Sequence, residues 1–313
     1  MKALLRRGGL SLLSLVILSV IIFLVVQVMP GDAGRRILGP LADQRSVDKL
    51  NDALGVNRPI VIQYLDWVSS FLRADFGVSF VYQEPVAPFV FRALGNSALL
   101  AVFGLTIALV TSVSLGLLAA RNENSWAGGL ITAGSVVATA IPEFVIGVIL
   151  LIIFGVTLGV FPTSSQVSAS SGILERMWAL VLPAITVSFP LSGYLTRMIR
   201  ARACEVYLSD HVRYARTLGS SEAEILRQNV LRNSFVPAIP VVATQAGYLI
   251  GSLTIVELLF NYDGIGLLIL KASQKLDLPM LMCSVLMSGV VFMVSILAGD
   301  TLVHFLDPRR RFK

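Results

Sequence analysis

Two cysteines and two histidines are all that the 313 residues contain. Cys204 and Cys283 stand far apart, so neither a disulfide framework nor a zinc-type spacing is available. His211 and His304 are too few for a histidine-based metal site. Charged residues make up 14% of the chain, and a net charge of +6 is small for nucleic-acid binding. No G-x-x-x-x-G-K-[ST] occurs, so the chain lacks the loop that cradles nucleotide phosphates. G-x-S-x-G and H-E-x-x-H are absent as well. No pair of acids stands at catalytic spacing on neighbouring apolar runs, so an intramembrane enzyme would lack its parts.

What the chain has instead is apolar length. Hydrophobic residues are 55% of it and the mean hydropathy is +0.79, far outside the range of soluble domains. Apolar runs cover residues 10–29, 97–120, 132–154, 177–196, 235–256 and 279–303. At ~1.5 Å per helical residue each approaches or exceeds a hydrocarbon core of ~30 Å. The expected fold is an all-α membrane protein with six transmembrane helices. Lys2, Arg6 and Arg7 precede the first run. A cleaved signal peptide is the competing reading, but no small-x-small site follows, and a retained helix is expected. The third run lies in a longer apolar stretch, 128–161, interrupted by Pro142 and Glu143. Each half is marginal alone, so one span with an interfacial extension is expected.

Charge tests the count. With six spans and the amino terminus inside, the inner segments 1–9, 121–127, 197–234 and 304–313 hold fifteen of the 25 Lys and Arg residues. Splitting 128–161 into two spans would put the arginine-rich loop after residue 196 outside. The positive-inside tendency favours six spans with both termini cytoplasmic. The expected parts are 1–30, the first transmembrane helix; 31–95, an extracytoplasmic subdomain; 96–306, the transmembrane core; and 307–313, a cytoplasmic tail.

Within 31–95, Ser46 can cap a helix closed by Gly55, and Asn57 a second with Pro59 just inside its start. Phe76, Val78 and Phe80 alternate as a short strand would. The subdomain serves either as a lid or as a docking surface for a soluble partner.

The loop 197–234 carries seven arginines and four acids. Val212, Ala215 and Leu218 fall on one face of a first helix, and Gly219 ends it. Ser221 caps a second helix, with Glu224 at the third helical position, a capping-box spacing. Helix, glycine turn and helix would offer Arg213, Arg216 and the small Ala215 to a groove on a cytoplasmic partner. Glu143, Glu257 and Asp300 are ionisable groups at membrane depth and are functional candidates for that reason. Gly247 and Gly251 are spaced for close helix contact.

"DHVRYARTLGSSEAEILRQNVLRNSFVPAI" resembles the cytoplasmic coupling loop of ABC-importer permeases of the dipeptide, oligopeptide and nickel branch. Asp210, Val212, Arg213, Ala215, Arg216, Gly219, Leu231, Arg232, Asn233 and Pro237 match it. His211 stands where the pattern has an aromatic, Tyr214 for threonine and Leu218 for lysine. Met29-Pro30-Gly31-Asp32, "AIPEFVIGVILLIIFG", "VELLFNYDGIGLLILKASQKLDLP", Asp300 and "LDPRRR" are similar to further family segments in order, so the resemblance spans the chain.

The resemblance implies a type I importer permease in the bacterial inner membrane. It would be paired with a second permease and worked by two cytoplasmic ATPases that hold ATP and Mg. An extracytoplasmic solute-binding protein would load it. No cofactor, metal or nucleic acid is implied for this chain, and no catalysis. Arg213, Tyr214, Ala215, Arg216, Gly219, Ser221, Glu222 and Arg232 would couple to the ATPases. Pro142, Glu143 and Gln245 would line the path. Glu257, Gly264, Gly266, Asp300 and Asp307 would be structural. Di- or oligopeptides are the expected cargo; opines, glutathione, nickel chelates and oligosaccharides are alternatives. On the residues alone, an ion-coupled secondary transporter using the three acids and a membrane scaffold also stand, though the first leaves the arginine loop without a purpose.

Overall fold

The computed structural model describes residues 2–28, 33–39, 41–55, 57–167, 171–235 and 238–306. Residues 29–32, Pro237 and the closing segment with Asp307 lie outside the described residues. The chain is nearly all helical. It begins with α1 (Lys2–Val28), α2 (Ala33–Leu38), α3 (Gln44–Leu54) and α4 (Ile60–Leu72). The long α5 (Val86–Arg121), then α6 (Trp126–Ala140) and α7 (Glu143–Leu150) follow, the last widening into a π-type stretch over Leu151–Thr157. Next come α8 (Ile173–Ala179), α9 (Val181–Tyr207), α10 (Asp210–Thr217), α11 (Glu222–Ile225) and α12 (Leu231–Phe235), with π-type Leu226–Val230 before α12. The chain closes with α13 (Ala238–Leu259), α14 (Ile265–Gln274) and α15 (Leu278–Leu306).

Gly8–Val28, Val86–Arg121 and Leu278–Gly299 are each long and apolar enough to cross a membrane. Two bent pairs, α6 with α7 and α8 with α9, qualify as well. Helix α13 has 22 residues with Glu257 as its one acidic or basic side chain, also long enough at ~1.5 Å per residue. These six apolar passages follow the expected order. The third is not one straight span over 132–154: the chain turns by 107° between α6 and the α7 stretch. Pro142 is the cause. It disfavours the helical conformation for Ile141, which is extended at φ −85°, ψ 128°, and it has no N–H to continue the ladder. The bend before α9, 47°, falls at Leu180, ahead of Pro183 and Pro190 of that helix.

The chain divides into two compact units. The first takes residues 1–96 and 264–293. Its core joins Ile22, Phe23 and Val26 of α1 to Val86 and Val90 of α5 and to Ile265, Ala272 and Met280. Helix α4 lies against α1 through aromatic side chains: Phe23 stacks on Trp67 at 5.9 Å and meets Tyr64 edge-on at 5.4 Å. Gly264 precedes α14 as its N-cap and Gly266 lies within it, both buried. Asp277 is buried and accepts hydrogen bonds from Ser79 Oγ and from the Phe80 N–H at 3.1 Å. That carboxylate fixes the turn after α4, a tie that spacing in the sequence does not announce.

Local expectations need three corrections here. Helix α3 starts before Ser46, with Asp43 as N-cap, although Gly55 closes it in the left-handed region. Pro59 rather than Asn57 is the N-cap of α4; Asn57 donates to Asp52 instead. Among the described residues the 76–80 segment forms an isolated bridge, Val78 with Pro85, and no strand. A strand needs a partner that this turn does not supply.

The second unit, residues 97–263 and 294–313, is organised around α9. Helix α5 packs closely on it through Gly104 and Gly116, and α6 through Gly193. A Cβ on Gly193 would lie 2.5 Å from the Ser135 carbonyl oxygen, so only glycine admits this approach. Gly147 of α7 likewise sits against Leu259 and Thr186. Leu100, Leu182, Ala184, Val187, Leu253 and Phe260 form one buried cluster. Glu257 is fully buried and takes a hydrogen bond from Ser97 Oγ.

Candidate functional site

Helix α9 ends at Tyr207, and the chain folds back beside it through α10, α11 and α12. Val212, Ile225 and Val230 are fully buried against Ala120, Ala203 and Val206, which fastens the element to α5 and α9. Helix α10 ends at Thr217, with Leu218 as its C-cap. Gly219 follows at φ +84°, a backbone conformation that glycine adopts at no steric cost. Its N–H donates to the Arg216 carbonyl at 3.0 Å, and the Ser220 N–H to the Ala215 carbonyl at 3.1 Å. The second helix opens with the expected capping box. Ser221 Oγ accepts from the Glu224 N–H at 3.3 Å, and the Ser221 N–H donates to Glu224 Oε2 at 2.9 Å.

Across the turn, Arg216 Nε donates to Glu222 Oε1 at 2.8 Å. That hydrogen bond holds the Glu222 carboxyl below its ordinary range and the guanidinium above its own. Arg216 is therefore tied to Glu222 across the turn while both side chains stay exposed. Arg213 and Arg232 are exposed, and among the described residues Arg213 has Asp210 at 4.0 Å as its ion-pair partner. Ala215 is half-buried against the cluster under the turn. Leu218 does not share that buried face: it is 68% exposed, beside Tyr214 at 66%, with Leu208 at 77% just ahead of α10. The sequence reading missed Leu208. It follows Val206 and Tyr207 at the end of α9, and nothing in that spacing marks it as exposed.

The second cluster of expected residues lies at the α6–α7 break. Pro142 is exposed and Glu143 half-buried at the first position of α7; Gln245, half-buried, is on α13. The structure does not bond these three to one another among the described residues. Nearby is a residue that was not singled out. Arg197 of α9 donates from Nη1 to the Ser135 carbonyl at 2.6 Å and to Thr139 Oγ1 at 3.0 Å. A cation at the carboxyl end of α6 complements that helix dipole. Asp300 is in α15.

Two family models match in succession. One, for the N-terminal part of binding-protein-dependent transport system membrane components, matches residues 1–101. The other, binding-protein-dependent transport system inner membrane component, matches residues 112–312. A protein named probable peptide ABC transporter permease y4tP, of Sinorhizobium fredii, is 30% identical over 98% of each chain. The glutathione transport system permease GsiC of Escherichia coli K12 is 30% identical over 96% of this chain and 95% of that one. Among solved structures, a chain of the MetNI methionine ABC transporter superposes with a TM-score of 0.55 at 15% identity. It covers 70% of this chain and 96% of that one, so it supports the fold alone. Permeases of this kind are membrane translocation subunits whose ATPase activity resides on partner subunits. With the two models running nearly end to end, the chain belongs to the family of inner membrane components of binding-protein-dependent transport systems, the permeases of ABC importers.

Proposed function

We propose that this chain is one permease subunit of an ATP-driven importer in the bacterial inner membrane, translocating di- or oligopeptides handed over by an extracytoplasmic binding protein. The observation that carries this is the element at 207–235. It is a short, capped, glycine-turned pair of helices anchored on α5 and α9, with arginines and bare apolar side chains on its outer surface. A chain without a phosphate-binding loop needs such a receiver for work done elsewhere.

In this reading a second homologous permease stands beside the chain, and two cytoplasmic ATPases holding ATP and Mg dock on the two coupling elements. Arg213, Tyr214 and Arg232 meet the ATPase. Ala215, Gly219 and Ser221 give the element its shape, and Arg216 with Glu222 braces the turn. Leu208 and Leu218 join the docking surface as apolar contacts. Movement of the element as a rigid piece then reorients α5 and α9. Pro142, Glu143 and Gln245 line the path. Glu257, Gly264, Gly266, Asp300 and Asp307 hold helix ends. Residues 31–95 face the binding protein, 96–306 form the core, 307–313 the tail, and both termini are cytoplasmic. The peptide cargo follows the name of the Sinorhizobium fredii relative; glutathione, itself a small peptide, falls in the same class.

Membrane vesicles carrying the complete importer give the test. Uptake of binding-protein-delivered tripeptides is expected to require ATP and to stop when the ATPase subunits carry a disabled phosphate loop. Full-speed uptake driven by an ion gradient without nucleotide would overturn the reading in favour of a secondary transporter.

A further inference from the structure

Nine of the thirteen residues of α4 are apolar or aromatic, yet none of them is buried. Tyr64, Trp67 and Phe71, at i, i+3 and i+7, form the face that packs on the core of the first unit. Val61, Leu65, Val68 and Leu72, at i, i+4, i+7 and i+11, form a second stripe with no acid or base on it. Val61, Leu65 and Leu72 are exposed, and Val68 is half-buried. Asp66 stands on a third side of the helix, paired with Arg58 at 3.3 Å.

The depth of α4 says what covers that stripe. Gln27 Nε2 of α1 donates to Gln63 Oε1 at 2.9 Å, and Tyr64 Oη shares a hydrogen bond with Ser19 Oγ at 2.8 Å. Phe23 lies between these levels, stacked on Trp67. The membrane-crossing length of α1 is Gly8–Val28. Phe23 is therefore ~7 Å inside its Val28 end and Ser19 ~13 Å, at ~1.5 Å per residue. Interfacial helices sit about 5–10 Å into the boundary of headgroups and acyl chains, and α4 meets α1 at that depth. From Phe71 the aromatic row runs on through Phe76, at 4.9 Å, to Phe91 of α5, at 6.0 Å. Helix α4 thus reaches from α1 to α5 and leaves its second stripe open. At the same levels α1 itself exposes Val20, Ile21, Leu24 and Val25, the surface that a spanning helix gives to lipid. Arg58 and Arg73, both exposed, stand just outside the two ends of α4, where long cationic side chains reach phosphates.

We propose that α4 is an interfacial helix whose Val61–Leu72 stripe lies among the acyl chains of the leaflet at the Val28 end of α1, with Arg58 and Arg73 at the headgroup phosphates. It anchors the segment after α1 to the bilayer, and the rest of 31–95 is left to meet a binding protein. This needs α1 to cross the membrane and is independent of the cargo. The test uses the assembled importer in phospholipid vesicles, otherwise free of cysteine, with Cys204→Ala and Cys283→Ala in this chain. A nitroxide is attached in turn at Val61→Cys, Leu65→Cys and Leu72→Cys. Its collisions are measured with oxygen, which concentrates among acyl chains, and with a water-soluble nickel chelate. Ile17→Cys is the lipid control and Glu84→Cys the water control. The oxygen-to-chelate ratio on the stripe is expected to match that at residue 17 and to exceed that at residue 84 severalfold. A ratio like that at residue 84 would show the stripe in water and overturn the proposal. Few collisions with either reagent would show it covered by another protein chain, a second permease or a binding protein, and overturn it as well. If the labelled variants do not assemble, acyl-brominated phospholipids are expected to quench Trp67, read as the difference from Trp67→Phe. Absence of that quenching would overturn the proposal.

Discussion

Gly219 turns the chain at φ +84° with nothing within 4 Å of the place a Cβ would take. A side chain there has room in this subunit, so its cost is conformational: about 1–2 kcal/mol for an ordinary L-residue and more for a β-branched one. Gly219→Val is expected to lose most ATP-driven uptake while the protein stays in the membrane. Gly219→Asn, which tolerates the left-handed region, is expected to keep at least half of it. The measurement is tripeptide uptake normalised to permease content. If asparagine fails as badly as valine, the obstacle is a clash with a docked partner and not the turn. Glycine turn and capping box were both legible in the sequence, because each is decided within four residues. The pairing of Arg216 with Glu222 was not, because it joins residues six apart across a turn whose geometry the spacing leaves open. The exposure of Leu218 was missed for a related reason. Helical periodicity put it with Val212 and Ala215, but the helix ends one residue earlier, so the face does not continue.

Helices in the second unit approach one another where side chains are missing. On α6, Ser135 lies under Gly193, whereas Gly134 meets nothing within 4 Å. Gly193→Ala is expected to cost about 1–3 kcal/mol by overpacking, read as a lower midpoint in thermal aggregation of the solubilised importer. Gly134→Ala is the control and is expected to leave the midpoint unchanged or slightly raised, since alanine favours helix over glycine. Equal losses at both positions would show that the α6–α9 contact is not what limits stability. The prolines that interrupt these helices could be read in the sequence, but their consequences could not. Pro183 falls in the first turn of α9, where a missing N–H costs nothing. Pro142 ends α6 and turns the chain by 107°, which a single kinked span does not anticipate. Buried ties between distant segments, such as Ser97 with Glu257, carry no local pattern at all and emerge only in three dimensions.

The topology of the whole chain hangs on that break. If α6 and α7 together cross the membrane once, six passages put the coupling element on the same side as the amino terminus. If they enter and leave on one side, every later segment is inverted and the element faces outward, away from any ATPase. Charge is the ground for expecting the first: the positive-inside tendency keeps the seven arginines at 197–234 on the cytoplasmic side at lower cost than translocating them. Leu218 is the natural reporter, because it is exposed and lies outside the apolar passages. In intact cells Leu218→Cys is expected to resist a membrane-impermeant maleimide, and to react in inside-out vesicles prepared without the ATPase subunits. Adding those subunits is then expected to slow the reaction severalfold, since a docked partner would cover Tyr214 and Leu218 together. Labelling in intact cells would make the α6–α7 pair a re-entrant hairpin and remove the mechanical link between nucleotide hydrolysis and this chain. Labelling from inside with no protection by the ATPase would keep the topology and move the docking surface away from the tip of α10.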